Sequence, residues 1–396
     1  MSFDFDAGVH LPHRMQPGLR QLALGAMQLT PSAVPHRGVA RHLREKLAVL
    51  WAFRDQALLT TPGFDAGPAL RALAAHAAAE HPQALQVDGD HWHAPGLGWA
   101  LDGDDSPHDI GTGWPEIGTL LHQLPAEWRR TALLSLAFAE DFAVLDAATG
   151  TLPWLAVALP SMWAPELKIG RSFAEVHAPV ADNRLIVGTA PQLVKLVTGG
   201  GMAPETPAAS PPRGGVAALG RPGGATAPET PAASPPQGGV AALGRPGGAT
   251  APETPAASPA REGVAALGRP GGARWERFVW TLTAHPRLHG HPQRVDPARW
   301  PAGLNDDQLA AQTWWRTERQ TFIPVPAEAA TARQAVFTIL VNVTPLVQAF
   351  GDAAHAARVH DALASMTDAV LAYRGLTDVR PALLRWLARQ AAGAAA

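Results

Sequence analysis

The chain has 396 residues, 46% of them apolar, with 32 basic against 34 acidic side chains and a formal charge of −2. That length suits one large domain or two ordinary ones, and the balanced charge excludes an electrostatic grip on nucleic acid or on an anionic membrane surface. Cysteine is absent, which excludes disulfides, thiolate nucleophiles, cysteine-type zinc sites and protein-bound iron–sulfur clusters.

The N-terminal stretch MSFDFDAGVH is acidic and lacks an apolar run, so no secretory signal is expected. No segment approaches the ~20 apolar residues of a membrane helix, and a cytoplasmic location is expected. Leu43, Leu47, Leu50 and Trp51 recur at helical spacing and predict a helix over Val39–Leu58. A second helix is predicted from Pro68, at its first turn, to His81, where Pro82 stops it. Further helices are expected over Glu116–Leu124 and Glu127–Asp146, the latter carrying Leu133, Leu134, Leu136, Phe138, Phe142 and Leu145. The period then changes, and Trp154–Leu159 reads as a short buried strand.

Three near-identical 24-residue copies follow, at Ala203–Thr226, Ala227–Thr250 and Ala251–Arg274. Each offers only Val-Ala-Ala-Leu among Pro, Gly, Ala, Ser and Thr, too little apolar surface to offset its ordering entropy. The repeat over 203–274 is therefore expected to be a disordered insertion. Residues 1–202 and 275–396 are expected to form a single domain around it, because loop closure costs little extra as a loop lengthens. Beyond the insertion, Trp275–Thr283 places Phe278, Trp280 and Leu282 on one face at period two. Trp315–Val325 and Ala335–Thr344 predict two strands pairing as an antiparallel ribbon, and helices return over Ala353–Tyr373 and Pro381–Ala392. Helices, then antiparallel strands, then helices argue an α+β fold.

Several residues could carry chemistry. His177 follows a short helix expected to start near Ser172, and Pro179 biases Ala178 toward extended geometry, so the chain turns just after the imidazole. Such a turn can hold a ligating histidine at a pocket wall, or the ring can simply satisfy a backbone group. Asp88-Gly-Asp-His91-Trp-His93 could bind zinc or iron, with two histidines on one side of a strand, or be a turn rich in Gly and Asp. Glu140 and Asp141, beside Phe138, Phe142 and Leu145, could face a pocket or pair with an arginine. Alternation puts Arg316, Glu318 and Gln320 on one face of their strand and Thr317, Arg319 and Thr321 on the other, so one face could look into a polar site. No GxGxxG, P-loop, GxSxG or HExxH is present, so nothing points to a nucleotide fold, a serine hydrolase or a zincin.

Six blocks stand in a telling order: PHRMQPGLRQL (Pro12–Leu22), AEDFAVLD (Ala139–Asp146), LPSMWAPELKIGRSFAEVHAPV (Leu159–Val180), RFVWTL (Arg277–Leu282), RTERQTF (Arg316–Phe322) and AYRGL (Ala372–Leu376). In them the chain resembles the haem-dependent oxidative N-demethylases of bacteria, over most of its length outside the repeat. The resemblance implies a PAS-like core, an antiparallel sheet with flanking helices, holding haem b with His177 as axial ligand to the iron. Lys168 and Arg319 are then expected beside the propionates, Glu140, Asp141 and Glu318 as acids for a substrate ammonium, and Trp280 as a wall of the site. The implied reaction is removal of an N-methyl group from a small secondary amine such as dimethylamine, using O2 and giving formaldehyde and the primary amine. Electrons would come from NADPH through FMN and a [2Fe-2S] cluster on a separate flavin/iron–sulfur reductase subunit. Two departures stand out: Val279 replaces an asparagine common in the family, and the repeat lies outside the family pattern. Three rival readings remain: a haem-binding PAS-like sensor without turnover, a non-haem metal enzyme using Asp88–His93, and a scaffold whose repeats recruit partners.

Overall fold

β-Branched and aromatic residues concentrate in three long stretches near the C-terminus, and in the computed structural model these are the longest strands. The structure describes residues 3–23, 25–34, 38–111, 113–200, 274–295, 300–326, 329–330 and 332–393. Among these the strands in chain order are β1 (Arg20–Gln21), β2 (Ala33–Val34), β3 (Gly38–Val39), β4 (Leu58–Thr60), β5 (Gln86–Asp88), β6 (His91–Ala94), β7 (Trp99–Leu101), β8 (Pro107–Asp109), β9 (Asp141–Asp146), β10 (Thr151–Ala156), β11 (Trp275–Thr283), β12 (Trp314–Pro324) and β13 (Gln334–Pro345). The main sheet runs β1-β11-β12-β13-β9-β10-β4, antiparallel at every pairing. β5–β8 make a separate four-stranded sheet, and β2 and β3 a two-stranded ribbon. The repeat lies outside the described residues except for Arg274.

Each face of the main sheet buries a different set of side chains. Phe142, Val144, Trp154 and Val336 pack with Leu43, Leu50, Leu73, Leu120 and Leu133 of the N-terminal helices Arg41–Ala57, Gly67–Glu80, Pro115–Gln123 and Ala126–Ala137. Ala143, Leu145, Leu155 and Phe322 pack instead with Val176, Val194 and Val197, which belong to short helical pieces between 173 and 200. A third cluster joins Trp280, Leu282 and Trp315 to the C-terminal helices Ala353–Ala364 and Arg380–Ala391. Fully burying one leucine or phenylalanine contributes about 2–3 kcal/mol, so the two-sided cover is what holds so long a sheet in place.

The strands and helices fall near their predicted places, with two corrections. The helix expected over Glu127–Asp146 ends at Ala137; Phe138 is extended, and Asp141–Asp146 is a strand between β13 and β10. All six residues of that strand are buried, and a strand covered on both faces shows an unbroken apolar run that periodicity cannot tell from a buried helix. The helix expected over Ala353–Tyr373 is two helices, Ala353–Ala364 and Asp368–Tyr373, because the Thr367 side chain accepts the Val370 N–H and caps a new start. No helix among the described residues is long and apolar enough to cross a membrane.

Candidate functional site

On the face of the sheet covered by the 173–200 pieces lies a cavity with about 750 Å³ of free space, counting its open mouth. The sheet wall is Ala143, Leu145, Leu155, Phe322, Phe337 and Ile339, and the opposite wall carries Trp163, Phe173, Val176 and His177. A mostly apolar concavity with a few polar groups is the usual form of a small-molecule site. His177 ends the five-residue helix Phe173–His177, whose start is fixed by a capping box between Ser172 and Glu175. The side-chain amide of Asn183 donates to the carbonyls of His177 and Ala178. Ala178, expected to be extended before Pro179, is helical instead (φ −56°, ψ −36°), and the turn is closed by the Val180 N–H donating to the His177 carbonyl. The imidazole Nδ1 lies 2.8 Å from the Phe173 carbonyl. That carbonyl can only accept, so Nδ1 carries the proton and Nε2 keeps its lone pair. Burial drives the pKa of His177 down to about 4, with the cations Arg277 and Lys168 adding to the shift against the Phe173 carbonyl. The ring is therefore neutral at pH 7, as a metal ligand must be.

Among the described residues, four further polar side chains line the cavity: Lys168, Arg277, Glu318 and Gln320. β11 and β12 pair Arg277 with Gln320 and Val279 with Glu318, so these four share one face of the sheet. Glu318 accepts a 2.6 Å hydrogen bond from Gln320 Nε2. Lys168 Nζ donates to the Val176 carbonyl at 3.1 Å and sits 4.8 Å from the centre of the Trp163 ring. Burial lowers the Lys168 pKa to about 8 and that of Arg277 to about 10, with the Glu318 carboxylate opposing both shifts. Arg277 Nε is buried and has no hydrogen-bond partner.

The cavity thus brings together His177, Lys168 and Glu318 and leaves the other expected site residues elsewhere. Trp280 is on the opposite face of β11 and stacks on Trp315, ring centres 4.8 Å apart. Arg319 also faces away, donating from Nε to Glu276 and from Nη1 to the Met27 carbonyl, both at 2.9 Å. Glu140 and Asp141 form a buried cluster with Lys46: Lys46 Nζ is 3.2 Å from Asp141 Oδ1 and donates to the carbonyls of Phe138 and Glu140. Asp141 accepts the Leu159 N–H and Glu140 the Thr30 N–H, so both tie strands and loops together. His91 and His93 do share one side of β6, where Asp102 lies 3.3 Å from His91 and 3.2 Å from His108. Among the described residues, however, no group of three or more histidines and carboxylates is arranged to hold a metal ion.

Arg277 was not anticipated as a site residue, and Gln320 only as sharing with Arg316 and Glu318 a strand face that could look into a polar site. The signal was present, because the alternation that aligns Phe278, Trp280 and Leu282 sends Arg277 and Val279 to the other face.

Comparison with known proteins bears on the part of this cavity built by β11, β12 and β13. Residues 270–384 match the family described as haem-dependent oxidative N-demethylase, alpha subunit-like. The matched segment, under a third of the chain, holds the RFVWTL, RTERQTF and AYRGL blocks and with them Arg277, Glu318 and Gln320. The three earlier blocks, including the one carrying His177, lie before it. No curated protein matches the chain.

Proposed function

We propose that this chain binds haem b in the cavity through His177 and serves as the catalytic subunit of an oxidative N-demethylase acting on a small secondary amine. The observation that carries the proposal is the state of His177: a neutral imidazole, its Nδ1 proton committed to the Phe173 carbonyl, in an apolar cavity to which the segment matched to a haem-dependent family contributes Arg277, Glu318, Gln320, Phe322, Phe337 and Ile339. Apolar walls, a free Nε2 and two cations suit a flat apolar ring bearing carboxylates and a metal. The PAS-like reading gains support from the run β9 to β13, which taken alone is a five-stranded antiparallel sheet with the His177 helix in the connection between its second and third strands.

When bound, haem would supply the activation of dioxygen. Glu318 is the one carboxylate among the described cavity-lining residues, and a substrate ammonium desolvated in an apolar site needs such a partner. Gln320 orients it by donating to Oε2. The apolar walls exclude bulk water around the N-methyl group. Collapse of the carbinolamine then moves a proton from its hydroxyl to the departing nitrogen, a transfer that Glu318 is placed to relay. One oxygen atom ends in formaldehyde and the other in water, which requires two electrons and two protons. A chain without cysteine has no thiolates for an iron–sulfur cluster. As the family resemblance implies, the electrons would come from a partner that uses NADPH and carries FMN and [2Fe-2S] centres, in keeping with the alpha-subunit description of the matched family.

The test pairs absorption spectra of wild type and His177→Ala with formaldehyde release from dimethylamine under a supplied reductase. A Soret band that shifts on reduction and is lost or displaced in the variant, together with turnover, is expected. A His177-dependent Soret band without turnover on any small amine would favour the sensor reading, and a featureless spectrum in folded, haem-supplemented protein would refute the cofactor.

A further inference from the structure

The arginines of β11 and β12 differ sharply in how their donors are satisfied. Arg316 gives hydrogen bonds to Ser161 Oγ and to the carbonyls of Pro160, Arg287 and Leu288. Arg319 is held by Glu276 and the Met27 carbonyl. Arg277 has no such partner at Nε, although that atom is sealed from solvent. Buried polar groups in folded proteins are almost always paired, and a charged one left unpaired is strongly disfavoured.

The surroundings of Arg277 show what is missing. It lines both the main cavity and a small pocket behind it formed with Pro17, Leu19, Val194 and Val197. Across the cavity Lys168 donates to a carbonyl and faces the Trp163 ring, while Glu318, the one carboxylate among the described lining residues, already accepts from Gln320. Two cations therefore face one anion in an apolar enclosure, and a guanidinium fork is built for a carboxylate.

On the strength of the haem reading above, we propose that Arg277 is the carboxylate anchor of this cavity and takes a propionate of the haem whose iron His177 would hold. Lys168 assists from the opposite wall, and Glu318 stays available for a cationic substrate.

The experiment titrates the full chain, freed of haem, with haem and separately with haem dimethyl ester, which lacks the carboxylates, following the Soret band. Wild type is expected to bind haem at least about ten-fold more tightly than the ester, the scale of one charge-assisted hydrogen bond. Arg277→Leu should bind the ester as wild type does and lose the preference for haem, and Arg277→Lys should restore part of it. Circular dichroism of each apo variant checks folding; if the leucine variant does not fold, Arg277→Gln takes its place. An unchanged haem-to-ester ratio in a folded variant overturns the inference while leaving His177 and haem intact. Protection of wild type but not the variant by benzoate, without any haem preference, would assign the arginine to a free carboxylate and equally overturn it. If wild type takes up neither porphyrin, the haem reading fails and this inference fails with it.

Discussion

Replacing Lys46 with methionine would show whether Glu140 and Asp141 serve the fold. Lys46 is 0% exposed and Asp141 1%, and the two charges lie 3.2 Å apart. Methionine keeps most of the apolar stem but leaves the Asp141 carboxylate with the Leu159 N–H as its remaining hydrogen-bond partner, and the Phe138 and Glu140 carbonyls lose a donor. Breaking a buried ion pair from one side costs about 3–5 kcal/mol. In the double variant Lys46→Met/Asp141→Asn no charge is stranded between them and the asparagine oxygen still accepts from Leu159, so about 1–3 kcal/mol of that loss should return. Urea unfolding of wild type, both single variants and the double at pH 7 measures the coupling. A single-variant cost below about 1 kcal/mol, or a coupling under about 0.5 kcal/mol, would refute a structural role for the cluster.

Glu140 carries a second signature. Burial pushes its pKa up to about 7, against the lowering effect of the Thr30 N–H and Lys46. Between pH 4.5 and 7 the folded state therefore holds a proton that the unfolded state has released, so stability falls as pH rises through that window, by up to about 3 kcal/mol. Glu140→Gln should remove this slope, and parallel stability–pH curves for the two proteins would contradict the assignment. Glu318→Gln should keep the Soret band and the fold but weaken amine turnover at least about ten-fold, as loss of one buried charge partner would; unchanged formaldehyde release would exclude the carboxylate from the reaction. In the helix Pro115–Gln123, a Cβ at Gly118 would lie 1.9 Å from Trp99 Cζ2. Gly118→Ala should thus cost about 1–3 kcal/mol by overpacking, read as a lowered thermal midpoint with Trp99 fluorescence displaced.

Local patterns in the sequence translated directly where one face is buried and the other is not. β11, with burial alternating along WERFVWTLT, and the β12–β13 ribbon were legible for that reason. β9 was not, because burial on both sides erased the alternation, and Glu140 and Asp141 were in consequence placed on a helix end rather than in the Lys46 cluster. For the site, the start of the helix that carries His177 could be read from Ser172, a local signal, whereas the extended geometry expected of Ala178 before Pro179 did not appear, because that residue continues the helical turn. Which side of β11 and β12 faces the cavity depends on pairing and on what covers each face. Glu318 therefore joined His177 while Arg319, its neighbour in sequence, went to Glu276 on the other side. Val279, the residue at which the chain differs from the family it resembles, pairs with Glu318 on the cavity side of the sheet, beside the acid proposed to hold the amine.

The segment bearing His177 is hydrogen-bonded to the sheet side at its start and beyond that rests on the sheet through the apolar side chains of Val176, Val194 and Val197. Backbone hydrogen bonds Gly170 N to Leu152 O, Leu152 N to Arg171 O and Phe173 N to Gly150 O tie its start to β10, and short helical pieces carry the chain on to Gly200. Such a stretch lacks the interlocked ladders of β12 and β13 and belongs with the parts of a fold that open locally before the rest. A ligand gripped by His177 on one wall and by the sheet on the other would close that opening by mass action, by about 2.7 kcal/mol at a hundred-fold excess over its dissociation constant. Amide hydrogen exchange over 173–198 should then slow about a hundred-fold when the cavity is filled, while the amides of the central strands hardly change, making this stretch a built-in reporter of occupancy.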